Sequence, residues 1–240
     1  EGQRRDARAH EVRVELESDT GPCRVLFSPG ALATWEDHWY LTVARAIRAA
    51  TSNAVGCTLQ WAAPDVDQKP VSKDDMKKDI AAGGWKTRLL LEEMGAGPDC
   101  IIVGHSAGAN AALKAAERQR IRGLVLVGAG YSPGDYMADR QVRSAAEEAG
   151  REPEPWRVIV PWQFDKIAEN ADFIYVLHGA DDDVIPASEA GKLVDGLKKA
   201  TEAARGSGCS LAVVESKIVE GLGHAMSSSC DEVLSVVLDR

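Results

Sequence analysis

The stretch Ile101-Ile102-Val103-Gly104-His105-Ser106-Ala107-Gly108-Ala109-Asn110-Ala111-Ala112 constrains this chain more than any other. Its apolar start reads as a buried strand, and its run of small residues reads as a closely packed helix. Between them lies the pattern Gly-x-Ser-x-Gly. A chain that turns from strand to helix this abruptly forces Ser106 into a strained conformation and lifts its hydroxyl above the sheet, beside a helix N-terminus. The bare pattern is weak because glycine and serine are common. Its flanking strand and helix give it meaning.

The rest of the chain repeats the same alternation. Arg24–Ser28, Cys57–Trp61, Cys100–Val103, Ile121–Val127, Phe173–Leu177 and Leu211–Val219 read as strands. Helical spacing of apolar residues marks Glu36–Ala50, Asp74–Met94 (weakened at Gly83-Gly84), Ala107–Arg118, Ala187–Ala204 and a final helix ending over Val233–Leu238. Short apolar strands alternating with amphipathic helices predict an α/β fold with a mostly parallel central sheet and helices on both faces. Residues 1–22 are polar and end in Asp19-Thr20-Gly21-Pro22, a turn signal, so they read as an N-terminal extension ahead of one domain over 23–240. Val12, Val14 and Leu16 alternate with charges in the manner of an edge strand. Residues 129–163 carry several glycines and prolines and a short helical pattern at Arg140–Ala149. An insertion there would lie over the strand ends, where such sheets carry their sites, and its length permits only a small lid, or none.

Composition narrows the partners. A formal net charge of −9 over 240 residues disfavours nucleic acid, because an acidic surface repels phosphate backbones. No apolar run is long enough to span a membrane. The five cysteines form no CxxC pair and no zinc-ligand spacing. Their odd number and the apolar surroundings of Cys57 and Cys100 suit reduced thiols and a cytoplasmic setting. The chain begins at Glu1 without methionine, which also fits removal of a targeting peptide. A monomer or weak homodimer is expected, with no metal and no organic cofactor.

A serine hydroxyl needs a base, and the base needs an acid to fix its tautomer. His224, framed in Gly221-Leu222-Gly223-His224-Ala225 directly after a late strand, is the candidate base. The candidate acid lies in His178-Gly179-Ala180-Asp181-Asp182-Asp183-Val184-Ile185-Pro186, again just after a strand. Three consecutive aspartates leave the register open: Asp182 is preferred and Asp181 is the alternative. The backbone N–H of Ala107 and one from the early loop Pro29-Gly30-Ala31-Leu32 are the candidate oxyanion donors, with Ala31 preferred over Leu32. Leu32, His38, Trp39 and Trp162 are candidate substrate-lining residues, although simple packing explains each aromatic equally well. His105 and His178 belong to the two motif frames and are expected to orient their loops. The chain order Ser, Asp, His is that of the α/β-hydrolase fold.

Two segments carry a closer resemblance. Gly104–Ala112, continued by Ala116-Glu117 and Ile121–Val127, resembles the retinoblastoma-binding protein 9/YdeN-like small serine hydrolases. So does Pro161-Trp162-Gln163-Phe164-Asp165-Lys166-Ile167-Ala168-Glu169-Asn170, which is similar to that family's Pro-Trp-x-x-x-Lys-Ile-x-x-Asn segment. The resemblance runs from about residue 24 to 240, and His38-Trp39-Tyr40 and the acidic loop fit it too. It implies a compact α/β-hydrolase with a Ser-Asp-His triad in which the acid, four residues before the proline, is Asp182. The early loop lacks the family's glycine-rich run. The Leu-x-Cys-x-Glu retinoblastoma-binding motif is absent; Ser228–Glu232 lacks its leucine. The expected activity is hydrolysis of a small ester, thioester or amide through an acyl-enzyme. The competing reading is a non-catalytic interaction module on the same fold.

Overall fold

Among the described residues, six strands build one all-parallel sheet in the order β2-β1-β3-β4-β5-β6. They are β1 (Arg24–Ser28), β2 (Ala54–Cys57), β3 (Cys100–His105), β4 (Ile121–Val127), β5 (Ala171–Gly179) and β6 (Val213–Val219). The computed structural model describes residues 24–30, 42–43, 46–47, 54–57, 87–131, 150, 161–204, 212–225 and 230–239. The extension over 1–22, most of the 129–163 segment with the helix predicted at Arg140–Ala149, and Ala31, Leu32, His38 and Trp39 lie outside the described residues.

Parallel strands need covered faces, and the alternation of side chains along each strand divides the core in two. Leu26, Ile102, Leu124, Leu126, Ile174 and Val176 share one core with helix α1 (Ala107–Ala116), helix α2 (Phe164–Glu169) and helix α3 (Ala187–Ala204). Their sequence neighbours Val25, Phe27, Ile101, Val103, Val125, Tyr175 and Leu177 point the other way. These pack with Val43 and Ile47, both in helical residues, and with Val233 and Val237 of helix α4 (Cys230–Leu238). Leu193, Val194, Leu197, Ala200 and Thr201 of α3 are buried at three- to four-residue spacing, which is why one stripe of this otherwise polar helix faces the sheet.

Strand order sets the position of the site. From β1 the chain moves outward to β2, then returns to place β3 on the opposite side of β1. The crevice at the carboxyl ends of β1 and β3 is thus the switch point where open α/β sheets bind ligands. Ser28 and Gly104 are register partners there, one residue short of His105 and two short of Ser106.

Several predicted bounds shift. The strand predicted at Cys57–Trp61 is described over Ala54–Cys57, where pairing of Arg24 with Ala54 and Phe27 with Cys57 overrides the weak β-preference of Ala54 and Gly56; residues 58–61 lie outside the described ones. β5 extends the predicted Phe173–Leu177 at both ends, to Ala171 and Gly179. The helix predicted through Met94 ends in a π-helical turn at Leu89–Glu93. The predicted helix Ala107–Arg118 closes at Ala116.

Candidate active site

Ser106 sits between β3 and α1 with φ 52° and ψ −118°. It is the one non-glycine residue with positive φ among the described residues. Such a conformation persists only where the surroundings over-determine it. Here the Ser106 N–H donates to the Val127 carbonyl at 2.9 Å, and its own carbonyl accepts from Ala109 and Asn110 at the start of α1. Gly108 lets α1 press onto β1, since a Cβ there would lie 1.7 Å from the Ser28 oxygen. Gly104 likewise has backbone of Gly108 and Ala109 within 2.8 Å of where its Cβ would be. Any side chain at either glycine would force the turn open.

A serine preceding a helix ordinarily caps it by accepting from the second or third helical amide. Ser106 makes no such side-chain bond. Its hydroxyl instead meets His224 Nε2 at 3.1 Å. His224 Nδ1 lies 2.8 Å from Asp182 Oδ2. With Nδ1–H donating to the carboxylate, Nε2 carries the lone pair that faces the Ser106 hydroxyl; the contact to Asp182 selects this tautomer.

The three aspartates separate by backbone geometry. Asp182 has a fully buried side chain, and its Oδ1 accepts from the amides of Val184 (2.9 Å) and Ile185 (2.7 Å). Burial pushes its carboxyl upward. The hydrogen bond from His224, the two amides and the His224 charge outweigh that and hold it below the ordinary carboxylate value. Asp181 is exposed; its amide donates to Leu222 O at 3.1 Å, which ties the acidic loop to the loop of His224.

Two further histidines support the pair from behind. His105 Nε2 donates to the backbone oxygen of His224 at 2.8 Å, and the two rings lie 5.1 Å apart. His178 is fully buried and donates from Nε2 to Ile185 O at 2.8 Å, while Nε2 lies 3.4 Å from Asp182 Oδ2. That last spacing resembles an ion pair. Burial, with some help from the charge at His224, pulls the His178 pKa below its usual value against the opposing Ile185 and Asp182 contacts, so the ring is neutral and the contact is dipolar. His178 Nδ1 is buried without a hydrogen-bond partner.

Ala107 opens α1, so its N–H is one of the first four that a helix leaves without an internal acceptor. Gly30 lies against the same turn, where a Cβ would sit 3.3 Å from Ser106 Cβ. Trp162 is not brought to these side chains. It is 6% exposed and packs into the α1 face of the core, with the Lys114 ammonium 4.8 Å from its ring centroid. Lys114 pairs with Glu117 at 2.7 Å, and Glu117 also accepts from the Gln163 amide, a buried polar clamp that no sequence pattern announced. Packing against α1 is therefore what the Pro161–Asn170 segment supplies. Among the described residues, no three His, Cys, Asp or Glu side chains group to hold a metal ion. No helix among them is long and apolar enough to cross a membrane.

A parallel sheet in this order, a positive-φ serine on the strand-to-helix turn, and an acid and a histidine delivered after β5 and β6 define the α/β-hydrolase fold. No family model matches the chain. Over 97 residues, 40% of this chain, it is 32% identical to a protein named serine hydrolase RBBP9 from Rattus norvegicus; the match spans 45% of that relative, less than half its length. The ydeN gene product of B. subtilis superimposes with a TM-score of 0.58 at 18% identity, covering 90% of this chain and 97% of the other. The esterase domain of a Rhodothermus marinus protein gives 0.55 at 18% identity over 94% and 88% of the two chains. A third neighbour, alpha/beta hydrolase domain-containing protein 10 from mouse, gives 0.57 at 14% identity over 94% and 91%. The relative and the first of these neighbours support the resemblance to the retinoblastoma-binding protein 9/YdeN-like α/β-hydrolases read from Gly104–Ala112 and Pro161–Asn170.

Proposed function

We propose that this chain is a serine hydrolase that cleaves a small ester, thioester or amide through an acyl-enzyme. The observation that carries the reading is the continuous chain of contacts from Ser106 Oγ through His224 to Asp182, at 3.1 and 2.8 Å. Ser106 Oγ forms a bond to the substrate carbonyl carbon while His224 Nε2 takes its proton. Asp182, held ionised by its own hydrogen bonds, stabilises the imidazolium and keeps the ring in register. The carbonyl oxygen becomes an oxyanion, accepting from the Ala107 amide and from a second amide, assigned to Ala31 with Leu32 as the alternative. The imidazolium then protonates the leaving group as the carbonyl–heteroatom bond breaks. Water repeats the sequence on the acyl-enzyme, with His224 as base, and releases the acid. The names of the relative and of the esterase neighbour favour this class of reaction.

The test is covalent labelling with a fluorophosphonate, which needs an activated serine. The wild-type protein is expected to label and Ser106→Ala is expected not to. A folded wild-type protein that never labels overturns the proposal. A panel of p-nitrophenyl esters of graded chain length, run beside aminoacyl amides, then separates an esterase from a peptidase.

A further inference from the structure

β6 ends the sheet beyond β5, and no described strand pairs with its other side. Its sequence is Val213-Val214-Glu215-Ser216-Lys217-Ile218-Val219. Most of it is open to solvent, with Val213 50% and Ile218 45% exposed. An open edge with apolar side chains is a template for another strand, and natural sheets usually blunt such edges with charged side chains or proline. This edge has no proline, and its two charges, Glu215 and Lys217, are opposite in sign.

An antiparallel pair of two copies centred on Ser216 puts every residue opposite a compatible one. Ser216 faces Ser216 across the two-fold axis. Glu215 of each copy faces Lys217 of the other, Val214 faces Ile218, and Val213 faces Val219. Sliding the centre by one residue would set Glu215 against Glu215 or Lys217 against Lys217, and cross-strand like charges are destabilising. A parallel pairing in register would do the same. The self-matching pattern is thus specific for one register and one orientation. Lys217 already bonds Glu232 within its own chain, and an ammonium with three donors has capacity for a second carboxylate. Either phase of backbone hydrogen bonding is compatible with this centre, since both residue-pair types of an antiparallel ladder are two-fold symmetric.

We infer that β6 is a homodimer interface, joining two six-stranded sheets edge to edge in antiparallel fashion with Ser216 on the axis. A single strand pair buries less than a standard stable interface, so the dimer is weak and depends on concentration.

Sedimentation of the full chain from low micromolar to millimolar concentration tests this. The wild type is expected to move toward a dimer as concentration rises. Glu215→Lys, which sets lysine against Lys217 twice per dimer, is expected to raise the dissociation constant on the order of tenfold. In an independent measurement, Ser216→Cys places two sulfurs at paired positions with Cα atoms about 4.5–5.5 Å apart, within disulfide range. Under mild oxidation this variant is expected to form a covalent dimer well above the wild-type background. A wild type that stays monomeric throughout, a dimer indifferent to Glu215→Lys, or a Ser216→Cys variant that cross-links no more than wild type each overturns the inference.

Discussion

Two amides set Asp182 apart as the candidate acid. All three aspartates at 181–183 could bond a histidine in principle, but only the side chain of Asp182 turns inward to meet the N–H groups of Val184 and Ile185. Those amides cradle Oδ1 and leave Oδ2 for His224 Nδ1. Charge on the acid also matters, because a neutral amide at this position can present its NH₂ to the ring and favour the wrong tautomer. Asp182→Asn is accordingly expected to lower kcat by about 10⁴, as loss of charge at the acid does in a serine triad. Asp181→Asn, altering an exposed side chain, is expected to change kcat by less than about twofold. Steady-state kinetics on one activated ester compares the two. Equal losses would remove Asp182 from the assigned role.

Elements hold these residues at bonding distance through points where backbone meets backbone. Gly179 ends β5, and a Cβ there would lie 1.9 Å from the oxygen of Leu222, two residues before His224. The Asp182 and His224 loops therefore approach as closely as they do because Gly179 has no side chain. Gly179→Ala is expected to cost about 1–3 kcal/mol in stability from overpacking. Its effect on kcat should be larger, on the order of 10²-fold, since a displacement near 1 Å misaligns the relay. A melting curve and kcat from the same preparation test this; an unchanged kcat would show that the loops do not set the distance. Much of this layer was legible in the chain. The long apolar runs at Arg24–Ser28 and Ile121–Val127 are strands with the predicted bounds, and Ala187–Ala204 is a helix with its predicted bounds. Ser106, Asp182 and His224 stood out because each follows a strand in the order this fold uses. Less was legible where pairing or packing, rather than local pattern, decides. Ala54–Cys57 owes its place to β1, and α2 is only six residues long, too short for a helical period to show. Trp162, an aromatic in a glycine- and proline-rich neighbourhood, gave no sign that it would pack on Lys114.

At the scale of the molecule, the site's supporting groups also tie stability to pH. His178 is neutral in the fold because burial disfavours its cation, and its pKa lies below the ordinary 6.5. The unfolded chain protonates this side chain near that ordinary value, while the folded chain resists. The stability associated with neutral His178 is therefore fully present above about pH 6.5 and is lost as pH falls from there toward the lowered folded value. Asp182, also depressed but from 3.8, withdraws its contribution in a separate and more acid window, as pH falls below that value toward its folded pKa. Where the unfolded histidine is protonated and the folded one is not, each pH unit costs about 1.4 kcal/mol. In a chain of this size that is a fall in melting temperature of about 3–6 °C. His178→Gln carries an amide that reaches toward the Ile185 carbonyl but does not titrate. It is expected to melt with a shallower dependence on pH than wild type as pH falls below about 6.5. Parallel slopes for the two proteins in that range would mean that some other group carries the titration. A difference that sets in there would identify His178 as the side chain that links folding of the acid loop to pH.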